Sequence, residues 1–276
     1  MNAASLPYTV LILLVELAVG SLAMLTVFDA RRQVTVGYVK AGAMLVLPLA
    51  LLAAWTVATL ESRPEVDGYA LAEGWLRPFT LALAAFVVCS AMHAIAAFTQ
   101  RHRAGILLGA AGSAAGVVAL VLLAGFLAPP AWSFVGLVLS VLTSTAVLGG
   151  SLMAMTWGHW YLTSGRLPKE PMEQMTLVVL VSLVMQGILV LAGAALPARD
   201  VPLSDGAEIG LAVNPAFWLR VGVGLAFPIG VTWLAFRAAR IRGMMSATGL
   251  LYIALGAILA GEVLARGLLF TTGSAV

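Results

Sequence analysis

Residues 6–27 read Leu-Pro-Tyr-Thr-Val-Leu-Ile-Leu-Leu-Val-Glu-Leu-Ala-Val-Gly-Ser-Leu-Ala-Met-Leu-Thr-Val, with Glu16 as the one charged residue in the stretch. A helix needs about 20 such residues to cross the hydrocarbon core of a bilayer. Residues Met1 to Pro7 hold no Lys or Arg, so the basic leader of a signal peptide is missing. The segment is therefore expected to stay as a membrane helix. Seven more apolar runs follow, at about 41–60, 78–99, 104–127, 132–162, 175–196, 216–236 and 246–270. Uniformly apolar runs of this length can satisfy their backbone groups in lipid only internally, which forces helix. A barrel would show alternating segments of about ten residues instead. The expected fold is all-α: a polytopic transmembrane bundle of eight helices, forming a single integral membrane domain over residues 1–276.

The composition agrees. Of 276 residues, 62% are hydrophobic and 10% charged, and the mean hydropathy is +1.04. Soluble domains run at about 25% charged residues. This excludes a soluble enzyme, a nucleic-acid binder and a disordered chain. Eight spans occupy roughly 170 residues, which leaves no length here for a soluble catalytic module. The lone cysteine, Cys89, excludes an internal disulfide, a thiolate iron–sulfur cluster and a zinc ribbon. It reads as a small apolar packing residue.

Loop charges set the orientation. Ten of the fifteen basic residues fall between spans 1–2, 3–4, 5–6 and 7–8: Arg31, Arg32, Lys40, Arg101, Arg103, Arg166, Lys169, Arg237, Arg240 and Arg242. The opposite loops hold Arg63, Arg77 and Arg199 among seven acidic residues. The positive-inside rule then places both termini outside. Trp55, Trp75, Trp132 and Trp218 are expected near the outer interface, and Trp157, Trp160 and Trp233 near the inner one. No internal repeat or broken helix pair of the transporter kind is evident.

Charges at membrane depth are costly and call for a reason. Glu16 in span 1 and Glu262 in span 8 each lie ~14–15 Å from the outer end of their helix. Arg266 follows Glu262 by four positions and shares its face. Arg220 lies ~6 Å into span 7. Two acids and two bases thus converge on the outer half with cancelling charge. Two readings stay open: an ion-pair network that pins the bundle, and a proton-exchanging ligand site. His93 in span 3 and His159, in the run Thr156-Trp157-Gly158-His159-Trp160-Tyr161-Leu162, could form an axial pair for a b-type haem near the inner face. They also read as hydrogen-bonding interior and interfacial imidazoles, the plainer explanation of two lone histidines. His102, in Gln100-Arg101-His102-Arg103, is expected to be solvated. The run Ala110-Ala111-Gly112-Ser113-Ala114-Ala115-Gly116 reads as a close helix-packing face. Pro48 and Pro228 are candidates to kink their helices.

The last span reads Leu259-Ala260-Gly261-Glu262-Val263-Leu264-Ala265-Arg266-Gly267-Leu268-Leu269-Phe270. This resembles the final helix of the membrane-anchor subunits of dimethyl-sulfoxide-reductase-type enzymes, the DmsC-like family with its NrfD-type relatives. Those helices similarly carry Ala-Gly-Glu, then Arg-Gly, then an aromatic residue. The resemblance is specific over these twelve residues. It implies a multi-pass subunit of the bacterial cytoplasmic membrane that anchors a partner, such as an iron–sulfur subunit, and exchanges electrons with quinone or quinol. It also implies a quinol site on the outer side near Glu262 and Arg266, with Glu16 and Arg220 beside it. The other readings are a structural subunit of a larger assembly, a b-type cytochrome using His93 and His159, and a proton-coupled carrier.

Overall fold

The computed structural model describes residues 4–61, 63–66, 68–128, 134–164, 167–195 and 211–275. Its helices are α1 (Leu6–Ala30), α2 (Val36–Thr59), α3 (Leu76–Phe98), α4 (His102–Leu127), α5 (Phe134–Ser164), α6 (Glu170–Ala195), α7 (Pro215–Val221), α8 (Phe227–Arg240) and α9 (Met244–Thr272). A π-helical turn, Gly222–Ala226, joins α7 to α8, so Pro215–Arg240 is one span. Among the described residues, eight helical spans are long and apolar enough to cross a bilayer. The chain is a polytopic membrane protein built as an all-α bundle.

Several helices begin earlier than hydropathy alone marks, for local reasons. Thr35 Oγ1 accepts from the Tyr38 amide at 3.3 Å, so α2 starts at Val36. Glu170 and Glu173 occupy the first turn of α6, where the helix dipole favours negative charge. The turns after α1, α3 and α8 each contain a left-handed residue, Arg32, Gln100 and Arg242. In each, the amide after it bonds back to a carbonyl five residues earlier: Gln33 to Phe28, Arg101 to Ala96 and Gly243 to Ala238. These are Schellman closures, which permit the short connections between antiparallel neighbours.

The centre of the bundle is formed by α1, α5 and α9, each with 61% of its spanning window buried, against 28–39% for the other spans. Where α1 crosses α5, Gly20 and Gly149 bring the two backbones together; a Cβ on Gly149 would strike the Gly20 backbone. The glycine-rich face of α4 packs as expected. Gly109 meets Thr26 and His93, Gly112 meets Leu22 and Cys89, and Gly116 meets Val19 and Phe86. Pro48 sits within an uninterrupted α2.

Tyr8 and Phe270 lie with ring centroids 6.1 Å apart, so the start of α1 and the end of α9 share one end of the bundle, here the terminal end. A small antiparallel hairpin caps that end. Its strands are β1 (Glu65–Val66) and β2 (Tyr69–Ala70), with Glu65 opposite Ala70 and Val66 opposite Tyr69. Tyr69 packs edge-on against Phe270 at 5.3 Å, and its hydroxyl donates to the Leu127 carbonyl. Burial raises the Tyr69 phenol above its ordinary pKa.

One side chain differs from expectation, and another, exposed as expected, gains a partner. Trp157 is fully buried and edge-on to Tyr38 at 5.1 Å, inside the bundle rather than at the interface. Gly158 beside it lets Thr248 of α9 and Met172 of α6 approach α5 closely. His102 opens α4 and reaches Asp29 at 3.5 Å, although 42% of its side chain is exposed. Trp55, Trp75, Trp218 and Trp233 are exposed on the bundle surface, as interfacial anchors are. Trp132, Arg166, Arg199 and the acidic residues Asp67, Asp200, Asp205 and Glu208 lie outside the described residues.

Candidate functional site

The four charges singled out in the sequence meet in one buried cluster. Arg266 Nη2 bridges Glu16 Oε1 at 2.5 Å and Glu262 Oε2 at 3.3 Å. Arg220 Nη2 reaches Glu262 Oε1 at 3.0 Å. The side chains of all four are at most 2% exposed. Glu16 and Glu262 lie ten residues from the terminal end of their helices, or ~15 Å at 1.5 Å per residue. This is the matched depth the sequence predicts.

Two neutral residues complete the cluster. Gln186 of α6 donates from Nε2 to Glu262 Oε1 at 2.6 Å and to Ser144 Oγ of α5 at 2.9 Å. Ser144 Oγ also accepts from Arg266 Nη2 at 2.9 Å. With two donors already on its oxygen, Ser144 directs its own hydroxyl hydrogen to Glu262, with which it is hydrogen-bonded. Helices α1, α5, α6, α7 and α9 therefore meet in a single network. Sequence reasoning missed both residues. Gln186 did carry a signal, being the one amide side chain inside the apolar run 175–196.

Backbone irregularity positions Arg220. Pro228 has no N–H, so it cannot bond the Gly224 carbonyl four residues before it. The helix widens into the π turn, where the Phe227 amide bonds Gly222 O. The freed Gly224 carbonyl accepts from Arg220 Nη1 at 3.4 Å. Gly224 and Gly261 bring the π turn and α9 into backbone contact beside the Arg220 guanidinium. Single π turns inside α-helices occur frequently at functional sites.

The two oxygens of Glu262 are engaged by Arg220, Arg266, Gln186 and Ser144. Glu16 differs, since only Oε1 is engaged. Glu16 Oε2, Gln186 Oε1, Arg220 Nε and Arg266 Nε are buried without a hydrogen-bond partner. Buried polar atoms of this kind are costly to leave unsatisfied. They would suit a polar ligand offering both a donor and an acceptor.

The histidines are not brought together. His93 is buried between α3 and α4, with Nδ1 2.9 Å from Gly105 O. His159 is exposed near the end of α5. Among the described residues, no group of three or more His, Cys, Asp or Glu is placed to hold a metal ion.

Fold and cluster together define a class: a polytopic membrane protein with a charge-balanced polar centre inside its bundle. No family model, curated protein or solved structure matches the chain.

Proposed function

We propose that the chain is a quinol-interacting membrane subunit of a redox complex, of the DmsC-like type, with its site at the Glu16–Arg266–Glu262–Arg220 cluster. The observation that carries this reading is the set of unpartnered atoms on the residues of the cluster. Glu16 Oε2 is a free acceptor for a hydroxyl, and the nitrogens Nε of Arg220 and Arg266 are free donors for an oxygen. A bound quinol supplies two electrons and two protons. Glu16 accepts the hydrogen bond at Oε2 and takes the two protons in succession, handing each to the terminal side as one electron passes to an iron–sulfur partner subunit. Glu262, held by two arginines, stays ionised and fixes Arg266 against Glu16. The subunit sits in the bacterial cytoplasmic membrane with its termini outside, so the protons leave on the terminal side.

A second reading has its own observation. Every charged group in the cluster has an opposite partner and almost no exposure. This is what a structural lock between five helices requires. Glu16→Gln separates the two. It keeps shape and one acceptor while removing ionisation. On the quinol reading, purified Glu16→Gln, normalised to folded protein, binds a quinol analogue at least tenfold more weakly than wild type. Absence of analogue binding in the wild type, or equal binding by the variant, returns the cluster to the structural reading.

A further inference from the structure

A second polar site lies at the opposite end of the bundle from the termini. There, the end of α1, the start of α2, the end of α3 and the start of α4 line a half-open cavity of about 150 Å³. Val36, Val39, Ala96 and Ala97 give it apolar walls. Asp29, His93 and His102 stand along the same cavity. None of these residues belongs to the Glu16 cluster, and Asp29 is thirteen positions from Glu16 on α1.

The hydrogen-bonding character of this lining is set by its neighbours. A backbone carbonyl only accepts, so the 2.9 Å contact with Gly105 O makes His93 Nδ1 the donor. In the neutral ring, Nε2 is then a bare acceptor, and it is buried with no partner. The Asp29 carboxylate is a second acceptor. It lies 3.5 Å from His102 and within electrostatic reach of His93. A cavity of this volume holds one benzene-sized ring. Apolar walls select a ring, the acceptors Asp29 and His93 Nε2 select a hydrogen-bond donor on it, and the exposed Gln100 and Arg101 at the mouth can donate to the same hydroxyl oxygen.

We infer that this cavity binds a hydroxylated aromatic ring, a phenol or hydroquinone, whose O–H donates to the Asp29 carboxylate or to His93 Nε2. The inference does not rest on the quinol assignment of the Glu16 cluster. Phenol and anisole form the decisive probe pair, because they share ring size and differ in the O–H. Titrated into the detergent-purified full chain, phenol binds at least tenfold more tightly than anisole. Asp29→Asn weakens phenol roughly tenfold, as loss of a charge-assisted hydrogen bond does, and leaves anisole unchanged. His93→Phe also reduces phenol binding. Should that variant misfold through loss of the Gly105 bond, Ala97→Leu fills the cavity from its apolar wall and blocks both probes. Glu16→Gln leaves phenol binding at this site unchanged, which keeps the two sites distinguishable. Hydroquinone and decyl-hydroquinone then identify the source. Tighter binding of the decylated ring, after correction for partition into micelles, points to a membrane-borne ligand, and equal binding points to an aqueous one. Equal affinity for phenol and anisole, no binding of either, or unchanged phenol binding in both Asp29→Asn and Ala97→Leu overturns the inference.

Discussion

Arg266 holds together charges from opposite ends of the chain. One guanidinium nitrogen, Nη2, touches Glu16, Glu262 and Ser144. Its removal leaves Glu16 as a buried carboxylate without its cation. Arg266→Met is expected to cost about 3–5 kcal/mol of stability, the usual cost of breaking a buried ion pair. Adding Glu16→Gln to Arg266→Met should recover part of that loss, because the stranded charge is gone. A double-mutant cycle from denaturant or thermal unfolding in detergent reads the coupling, and strictly additive losses would refute the pairing. The charged members of this site were legible because a charge in an apolar run stands out by its desolvation cost alone. Ser144 was not. Serine is common in membrane helices, where its hydroxyl usually bonds a carbonyl of the preceding turn, so sequence gives no sign that it faces a cluster. The depth match of Glu16 and Glu262 could be counted from helix rise, whereas their common partner Arg266 depended on which faces of α1 and α9 meet.

At the scale of the element, the seventh span shows how an irregular helix aims a side chain. Pro228 was legible as a helix-breaking residue, but its consequence was not, because a kink and a π turn both satisfy the loss of one N–H. The π turn inserts one extra residue ahead of α8, and this sets the rotation of α7 that points Arg220 at Glu262. Deleting Val223, which is 42% exposed on the bundle surface, should restore α-helical spacing. That would rotate α7 by about 100° relative to α8 and withdraw Arg220 from Glu262. The deletion is expected to lower the unfolding midpoint strongly in the wild-type background. In an Arg220→Met background it should cost little more, since the pair is already lost. Equal cost in both backgrounds would show that the π turn serves helix packing and does not place Arg220.

For the whole molecule, span number was legible and span arrangement was not. Composition and run length fix eight helices, because lipid demands internally bonded segments of set length. Hydropathy then falls silent, since lipid tails are as apolar as a neighbouring helix and no apolar face marks the interior. Packing is decided by small residues such as Gly20, Gly149, Gly224 and Gly261, at which backbones touch, and by the polar cluster. An even number of spans puts both termini on one side, in keeping with the Tyr8–Phe270 contact. The expectation that this side faces outward rests on the basic loops, ten residues against three. Cysteine labelling in cells tests this directly. With Cys89 replaced by Ala, Arg63→Cys and Arg101→Cys each place a single thiol at an exposed position at opposite ends of the bundle. An impermeant thiol reagent should label the Arg63→Cys variant on intact cells and reach the Arg101→Cys variant only after permeabilisation. The reverse pattern would invert the molecule and place the Glu16 cluster in the inner half of the membrane. Its protons would then be released to the cytoplasm. Labelling of both variants from one side would remove the odd number of crossings between them, and with it the eight-span topology.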